Sequence, residues 1–105
     1  LELVVAVNPE TPVDEVRGLE IDALLVMGVH PGASGQTFLG ESILAKLRRA
    51  RALFPDLLLE IDGGVNAHNL SEVMKAGANR CVASSALWKS PNPEEEYEIL
   101  LSKLA

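Results

Sequence analysis

The chain has 105 residues, 48% of them hydrophobic, enough for one folded domain with a core, which excludes a disordered polymer. A formal net charge of −6 excludes a protein built to grip nucleic-acid phosphates, and no apolar run approaches the roughly 20 residues of a membrane helix. With one cysteine, Cys81, there is no internal disulfide, and no basic stretch followed by an apolar one opens the chain, so a reduced, cytoplasmic setting is expected.

Four apolar runs rich in Leu, Val and Ile occupy residues 3–7, 21–29, 57–61 and 79–83. Each is short, bounded by Gly, Pro or Asn, and nearly continuous, the pattern of strands buried on both faces of a parallel sheet. Thr11 and Pro12 predict the start of a first helix, as N-cap and first helical residue, with Asp14 and Glu15 at its positive end. A second helix is predicted over 40–54, with Ile43, Leu44, Leu47 and Phe54 on its apolar side and Lys46, Arg48, Arg49 and Arg51 mostly solvated. A third opens near Asn66 and stops at Gly77. A fourth follows Pro91-Asn92-Pro93, with Glu94, Glu95 and Glu96 in its first turn and Tyr97, Leu100, Leu101 and Leu104 as a buried stripe. The order βαβαβαβα predicts one α/β domain over 1–105 with a parallel sheet and right-handed crossovers. Four such units can form a small open sheet or half of an eight-stranded barrel, and pattern alone does not separate the two.

In both folds ligands meet the loops after the carboxyl ends of the strands. Here those loops are His30-Pro31-Gly32-Ala33-Ser34-Gly35-Gln36, Asp62-Gly63-Gly64-Val65-Asn66 and Ser84-Ser85-Ala86. Any one of them is explained by a tight turn. Three in succession, each leading to a helix start, suit an anion held by main-chain N–H groups without lysine. Asp62 ends an apolar strand, where a carboxylate needs a metal, hydrogen bonds or acid–base work, or accepts N–H groups from its own Gly63-Gly64 turn. His30 is a candidate metal ligand or base, or a plain loop residue. Met27 reads as core, with a ligand-facing role open. His68 reads as solvent-facing, Cys81 as a small buried residue, and Trp88 as an anchor for its loop or a cover for a neighbour.

Together these segments resemble one family. Val7-Asn8-Pro9-Glu10-Thr11-Pro12, the run from Val26 through Gly32 and Gly35 to Phe38, Glu60-Ile61-Asp62-Gly63-Gly64-Val65, and Ala76-Gly77-Ala78 with Val82-Ala83-Ser84-Ser85-Ala86-Leu87-Trp88 are similar to the motifs of ribulose-phosphate 3-epimerases. They keep order and spacing over essentially the whole chain. The resemblance implies strands five to eight of a (β/α)₈ barrel. It implies an isomerase that interconverts D-ribulose 5-phosphate and D-xylulose 5-phosphate, with two acidic residues relaying protons beside a divalent Zn, Fe, Mn or Co ion. Asp62 falls on one of those acids, which is also a metal ligand, and Met27 on a methionine lining the reacting carbon. Gly32, Gly35, Gly63, Gly64 and Ser85 fall on phosphate-loop positions. Ala33 stands where the family has an aromatic residue, and Ser34 and Ser84 where it has glycine.

The remaining ligands implied by the resemblance, two histidines and the partner aspartate, belong to strands two and three, which this chain lacks. Half a barrel leaves two open sheet edges and a bare inner face, so a homodimer or a complex with a complementary N-terminal half is expected. In a two-fold dimer, Asp62 of both copies would face each other, with His30 near, as a makeshift metal site. Three functions follow: an isomerase part that needs its missing half, a non-catalytic phosphate-binding or structural half-barrel, or a related enzyme such as an allulose 6-phosphate epimerase.

Overall fold

A computed structural model describes residues 1–29 and 38–104. The predicted roles of His30, Gly32, Ser34 and Gly35 lie outside the described residues.

The four predicted strands form, slightly shortened, as β1 (Val4–Val7), β2 (Ala23–Met27), β3 (Leu58–Asp62) and β4 (Arg80–Val82). All neighbours are parallel, and the sheet runs in plain sequence order, β1-β2-β3-β4. That order decides the question the pattern left open. A doubly wound sheet reverses its strand order at a switch point, whereas a barrel segment adds each strand beside the last.

The two faces of the sheet differ in the way a barrel wall requires. Val7, Leu24, Val26, Leu59 and Ile61 point one way and are buried among α1 (Glu41–Leu53), α2 (Leu70–Ala76) and the residues between elements. On the other face Leu25, Met27, Leu58 and Asp62 are partly buried, while Val4, Ala6 and Val82 are exposed. The continuous apolar runs therefore do not reflect burial on both faces within this chain. The second apolar face is the one that a barrel turns toward its interior.

That inner face carries one ion pair. Arg80 Nη1 lies 3.0 Å from Glu60 Oε1, and the two residues are direct register partners on β4 and β3. Glu60 is the more enclosed partner, its side chain 14% exposed against 63% for Arg80.

The first helix shrinks to a single 3₁₀ turn, Val13–Val16. Pro12 sets its start, but the chain reaches Gly18, at φ 84°, within one turn and must re-enter the sheet at Ala23. Val13 and Val16 still bury against the core. Beside this turn Arg49 Nη2 meets Asp14 Oδ2 at 2.7 Å, and this hydrogen bond, with the attendant charge attraction, holds the Asp14 carboxyl below its usual value. A carboxylate with a depressed folded value adds stability above its unfolded value and loses it as pH falls through the folded one. Arg49→Met is therefore expected to move the Asp14 carboxyl back up in an NMR titration. Because the pair is exposed, the acid limb of the unfolding curve should shift only slightly. An unmoved Asp14 titration would show that the pair does not persist in solution.

Two of the four basic residues expected to be solvated are instead structural. Lys46 Nζ donates to the carbonyls of Asn8 and Pro9 at 2.6 and 2.9 Å, tying α1 to the end of β1, and its burial lowers its pKa. Arg51 Nη1 and Nη2 reach the Phe54, Pro55, Leu57 and Gly77 carbonyls and Asn79 Oδ1 at 2.6–3.1 Å. Arg48 and Arg49 are exposed, as expected.

A one-turn helix not predicted from sequence, α3 (Ser85–Trp88), precedes α4 (Pro93–Leu104). Asn92 caps α4, its Oδ1 accepting the Glu95 N–H at 3.2 Å, with Pro93 as first helical residue. Of the predicted stripe on α4, Leu100 is buried, whereas Tyr97, Leu101 and Leu104 are exposed. The helix forms as its periodicity predicts, but the neighbour this stripe would pack against is not among the described residues. A groove of about 320 Å³ remains between α4, α2 and β4, lined by Leu70, Met74, Cys81, Ala83, Tyr97 and Leu101 among others.

Candidate functional site

The carboxyl ends of β2, β3 and β4 come into one row. Met27 is the register partner of Asp62, and Asp62 of Val82, so all three project from the inner face at the rim. Met27 thus lines the inner face instead of filling the helix-side core. Asp62 is partly buried, and among the described residues no hydrogen bond or ion pair reaches its carboxylate. The alternative in which Asp62 accepts N–H groups from its own turn is not what forms. The Asp62 main-chain carbonyl is used, accepting the Gly28 N–H at 2.7 Å.

The turn after β3 is built by glycine. Gly63 has φ 106° and Gly64 φ 75°, a region that side chains with a Cβ rarely adopt. A Cβ at Gly64 would sit 2.7 Å from Phe38 Cα, and one at Gly63 would sit 2.7 Å from Val29 Cγ2. Both ends of the β2–α1 loop therefore lie directly on this turn, and the Leu39 N–H closes them by donating to the Gly28 carbonyl at 2.9 Å. Asn69 fixes the far side, its Nδ2 donating to the Gly64 carbonyl at 2.8 Å and its Oδ1 accepting the Asn66 N–H at 2.9 Å. Asn66 Oδ1 in turn accepts the His68 and Asn69 N–H groups, which starts the turn leading into α2. His68 itself is exposed, as expected.

After β4 the chain passes Ser84 and enters α3 at Ser85. The leading N–H groups of such a turn have no intrahelical acceptor. A phosphate site made from the loops after the last two strands and the start of a short extra helix is a recurring feature of (β/α)₈ barrels. The one-turn helix is the feature that sequence reading missed. Ser84-Ser85 before the apolar pair Ala86-Leu87 is the signal available for it in the sequence.

Among the described residues no three of His, Cys, Asp or Glu gather into a group able to hold a metal ion. Asp62 would offer a single carboxylate to such an ion, and the described residues beside it do not complete a site, so no chemical step is routed through a metal here. Cys81 does not enter the site. It is partly buried, and burial raises its thiol pKa. Trp88 is 73% exposed and, with Tyr97, Glu94 and Glu98, lines a shallow outer groove instead of anchoring the loop. No described helix is long and apolar enough to cross a membrane.

The sequence profile of the "Ribulose-phosphate 3 epimerase family" matches residues 1–88. The ribulose-phosphate 3-epimerase of Escherichia coli (strain K12) is 36% identical over 104 residues, covering 93% of this chain and 46% of that protein. The Serratia marcescens protein of the same name is 41% identical over 91 residues, covering 81% of this chain and 43% of its own length. The chain thus spans about half the length of these relatives. Among solved structures, a 3-hexulose-6-phosphate synthase superposes with a TM-score of 0.73 at 24% identity, covering 99% of this chain and half of that one. The Amycolatopsis orientalis BexX/CysO complex gives the same TM-score over 98% of this chain and 43% of the other. At that identity the structural likeness concerns the fold alone.

Proposed function

The chain belongs to the ribulose-phosphate 3-epimerase family, and on that premise we propose that it is the phosphate-gripping and single-acid half of a pentose-phosphate epimerase. The observation that carries this reading is the rim row of Met27 and Asp62 beside the Gly63-Gly64 turn, one strand away from the start of α3. Main-chain N–H groups near Gly64, Ser84 and Ser85 would hold the phosphate, and Gly32, Ser34 and Gly35 would add to them by sequence position. This serves an acidic protein, because amide dipoles attract an anion without any lysine.

With the phosphate fixed, the sugar extends over the inner face past Met27. The Asp62 carboxylate takes the proton from C3 and so becomes the neutral acid, leaving an enediolate. Inversion requires a second acid to deliver a proton to C3 from the opposite face. No second carboxylate stands beside Asp62 among the described residues, so that acid comes from the other half of a barrel. The divalent ion of the family would also depend on ligands from that half, with Asp62 as one ligand and His30 as a further candidate. By itself the chain is a phosphate-binding half-barrel.

Titration of the purified chain with inorganic phosphate tests the anion site. Chemical-shift changes at the amides of Gly64, Ser84 and Ser85, saturating at millimolar phosphate, are expected. Unmoved amides at these three positions would remove the phosphate reading. An epimerase assay on the chain mixed with an N-terminal half from a relative, with divalent metal, tests the acid. Asp62→Asn should lower turnover about 10²–10⁴-fold while leaving the amide shifts with phosphate unchanged. Full activity of that variant would overturn the role given to Asp62.

A further inference from the structure

We propose that Asn8 is a further sugar-binding residue, its side-chain amide meeting the end of the pentose phosphate remote from the phosphate, and that Lys46 is the residue that positions it. The inference deepens the proposed function and rests on it for the direction in which the sugar lies.

The first observation is register. Val7 is the partner of Val26, and Val26 of Ile61. One step further along each chain stand Asn8, Met27 and Asp62. Side chains alternate across a strand, and Val5 and Val7 pack into the helix-side core, so Asn8 falls on the inner-face side with Met27 and Asp62. It is exposed, as a rim position requires. This placement comes from the ladder between β1 and β2 and holds whatever lies beyond β1.

The second observation is the tie from α1. Lys46 Nζ donates to the Asn8 carbonyl at 2.6 Å and to the Pro9 carbonyl at 2.9 Å, and the Thr11 N–H donates to the same Asn8 carbonyl at 3.0 Å. Hydrogen bonds from an ammonium are the stronger, charge-assisted kind. Ile43, Leu47 and Ala50 around Lys46 on α1 are buried, so the ammonium is carried by a helix that is itself fixed on the sheet. All of these bonds end on main-chain carbonyls. They set the bend at Asn8 without spending its side-chain amide.

The third is order along the rim. The proposed phosphate amides of Gly64, Ser84 and Ser85 lie toward β4, Asp62 ends β3, Met27 ends β2 and Asn8 follows β1. With strands about 4.8 Å apart, the main chain at Asn8 stands roughly 10 Å from that at Asp62. The phosphate is on C5 and Asp62 acts at C3, so C2 and C1 extend the other way, past Met27 toward Asn8. A side-chain amide offers N–H donors and an oxygen acceptor together. That set suits a C1 hydroxyl, which both donates and accepts, beside a C2 carbonyl, which only accepts. The amide brings no charge to the rim beside Asp62.

Nuclear magnetic resonance titrations of the purified chain with inorganic phosphate and with D-ribulose 5-phosphate test this. Both ligands should move the Gly64, Ser84 and Ser85 amides, and only the pentose phosphate should move the Asn8 side-chain amide signals. Pentose phosphate that moves the three main-chain amides and leaves the Asn8 side chain in place would overturn the inference while the proposed function stands. Three amides unmoved by either ligand would remove both. Asn8→Ala should weaken pentose phosphate binding about fivefold, the worth of one net hydrogen bond, and leave inorganic phosphate binding unchanged. Parent and N8A binding the pentose phosphate equally would also overturn it. Lys46→Met should cost about the same factor, with far-UV circular dichroism unchanged, and Lys46→Arg should restore most of it. In the double variant N8A/K46M the loss should not exceed that of N8A alone, because Lys46 acts through Asn8. Losses that multiply, or a K46M variant that weakens inorganic phosphate by the same factor, would reduce Lys46 to a structural brace and refute its positioning role.

Discussion

Replacing Arg51 by methionine is expected to lower the stability of the chain by about 3 kcal/mol, the larger of two effects expected from single changes outside the rim. The side chain leaves the last turn of α1 and spends both terminal nitrogens on the Phe54, Pro55, Leu57 and Gly77 carbonyls and on Asn79 Oδ1. The same Asn79 Oδ1 also accepts the Leu59 N–H at 3.0 Å, and the Asn79 N–H donates to the Leu59 carbonyl at 2.8 Å. One guanidinium thus joins the end of α1, the loop into β3, the end of α2 and the strand β3 itself. A hydrogen bond to a charged group contributes about 1.5–3 kcal/mol, and partly buried carbonyls left without a donor add their desolvation cost. The contributions are not additive, because all of them depend on one side chain. Arg51→Lys keeps the charge and the stem but offers one nitrogen where the site uses two, so about half the loss is expected. Urea denaturation midpoints at constant slope measure both. A methionine variant within about 0.5 kcal/mol of the parent would show that water replaces the guanidinium at this end of the sheet.

Arg51 also marks where sequence reading stops. Leu24, Val26, Leu59 and Ile61 were legible as strands because an apolar run bounded by turn residues has few other uses. The basic run on α1 was legible as helical, yet nothing in the types Lys46, Arg48, Arg49 and Arg51 says which two fold back onto carbonyls. That depends on where the Asn8-Pro9 and Phe54-Pro55 segments pass, a matter of tertiary placement. The first helix failed for a related reason. Thr11-Pro12 and two acids are sound start signals, but β2 claims the chain again at Ala23 and one 3₁₀ turn is all that fits before it. The stripe on α4 was visible and its burial was not, because periodicity reports which residues share a face and not whether the chain supplies a cover. At the site, Asp62, Met27 and the Gly63-Gly64 turn stood at their positions in the sequence. The contact between Phe38 and that turn did not, since the loop that makes it leaves β2 and returns.

That contact sets the second large effect. Gly64→Ala is expected to cost about 2–3 kcal/mol, made of two separable parts. The first is backbone strain, because an alanine held at φ 75° costs about 1 kcal/mol. The second is collision, because its Cβ would lie 2.7 Å from Phe38 Cα and 2.8 Å from Phe38 N, main-chain atoms that cannot swing aside. Gly18 supplies the control. It has φ 84° with nothing within 4 Å of where a Cβ would sit, so Gly18→Ala should show the strain alone, about 1 kcal/mol. Equal losses at the two positions would mean that the β2–α1 loop yields freely and does not brace the turn. The difference between the two variants therefore measures how firmly Phe38 holds the Gly63-Gly64 amides in place. If that bracing presents the amides to phosphate, Gly64→Ala must weaken phosphate binding at least tenfold under conditions where the variant is still folded, and Gly18→Ala must leave it unchanged. Rigid support of this kind lowers the ordering cost of binding, because the amides are set before the anion arrives.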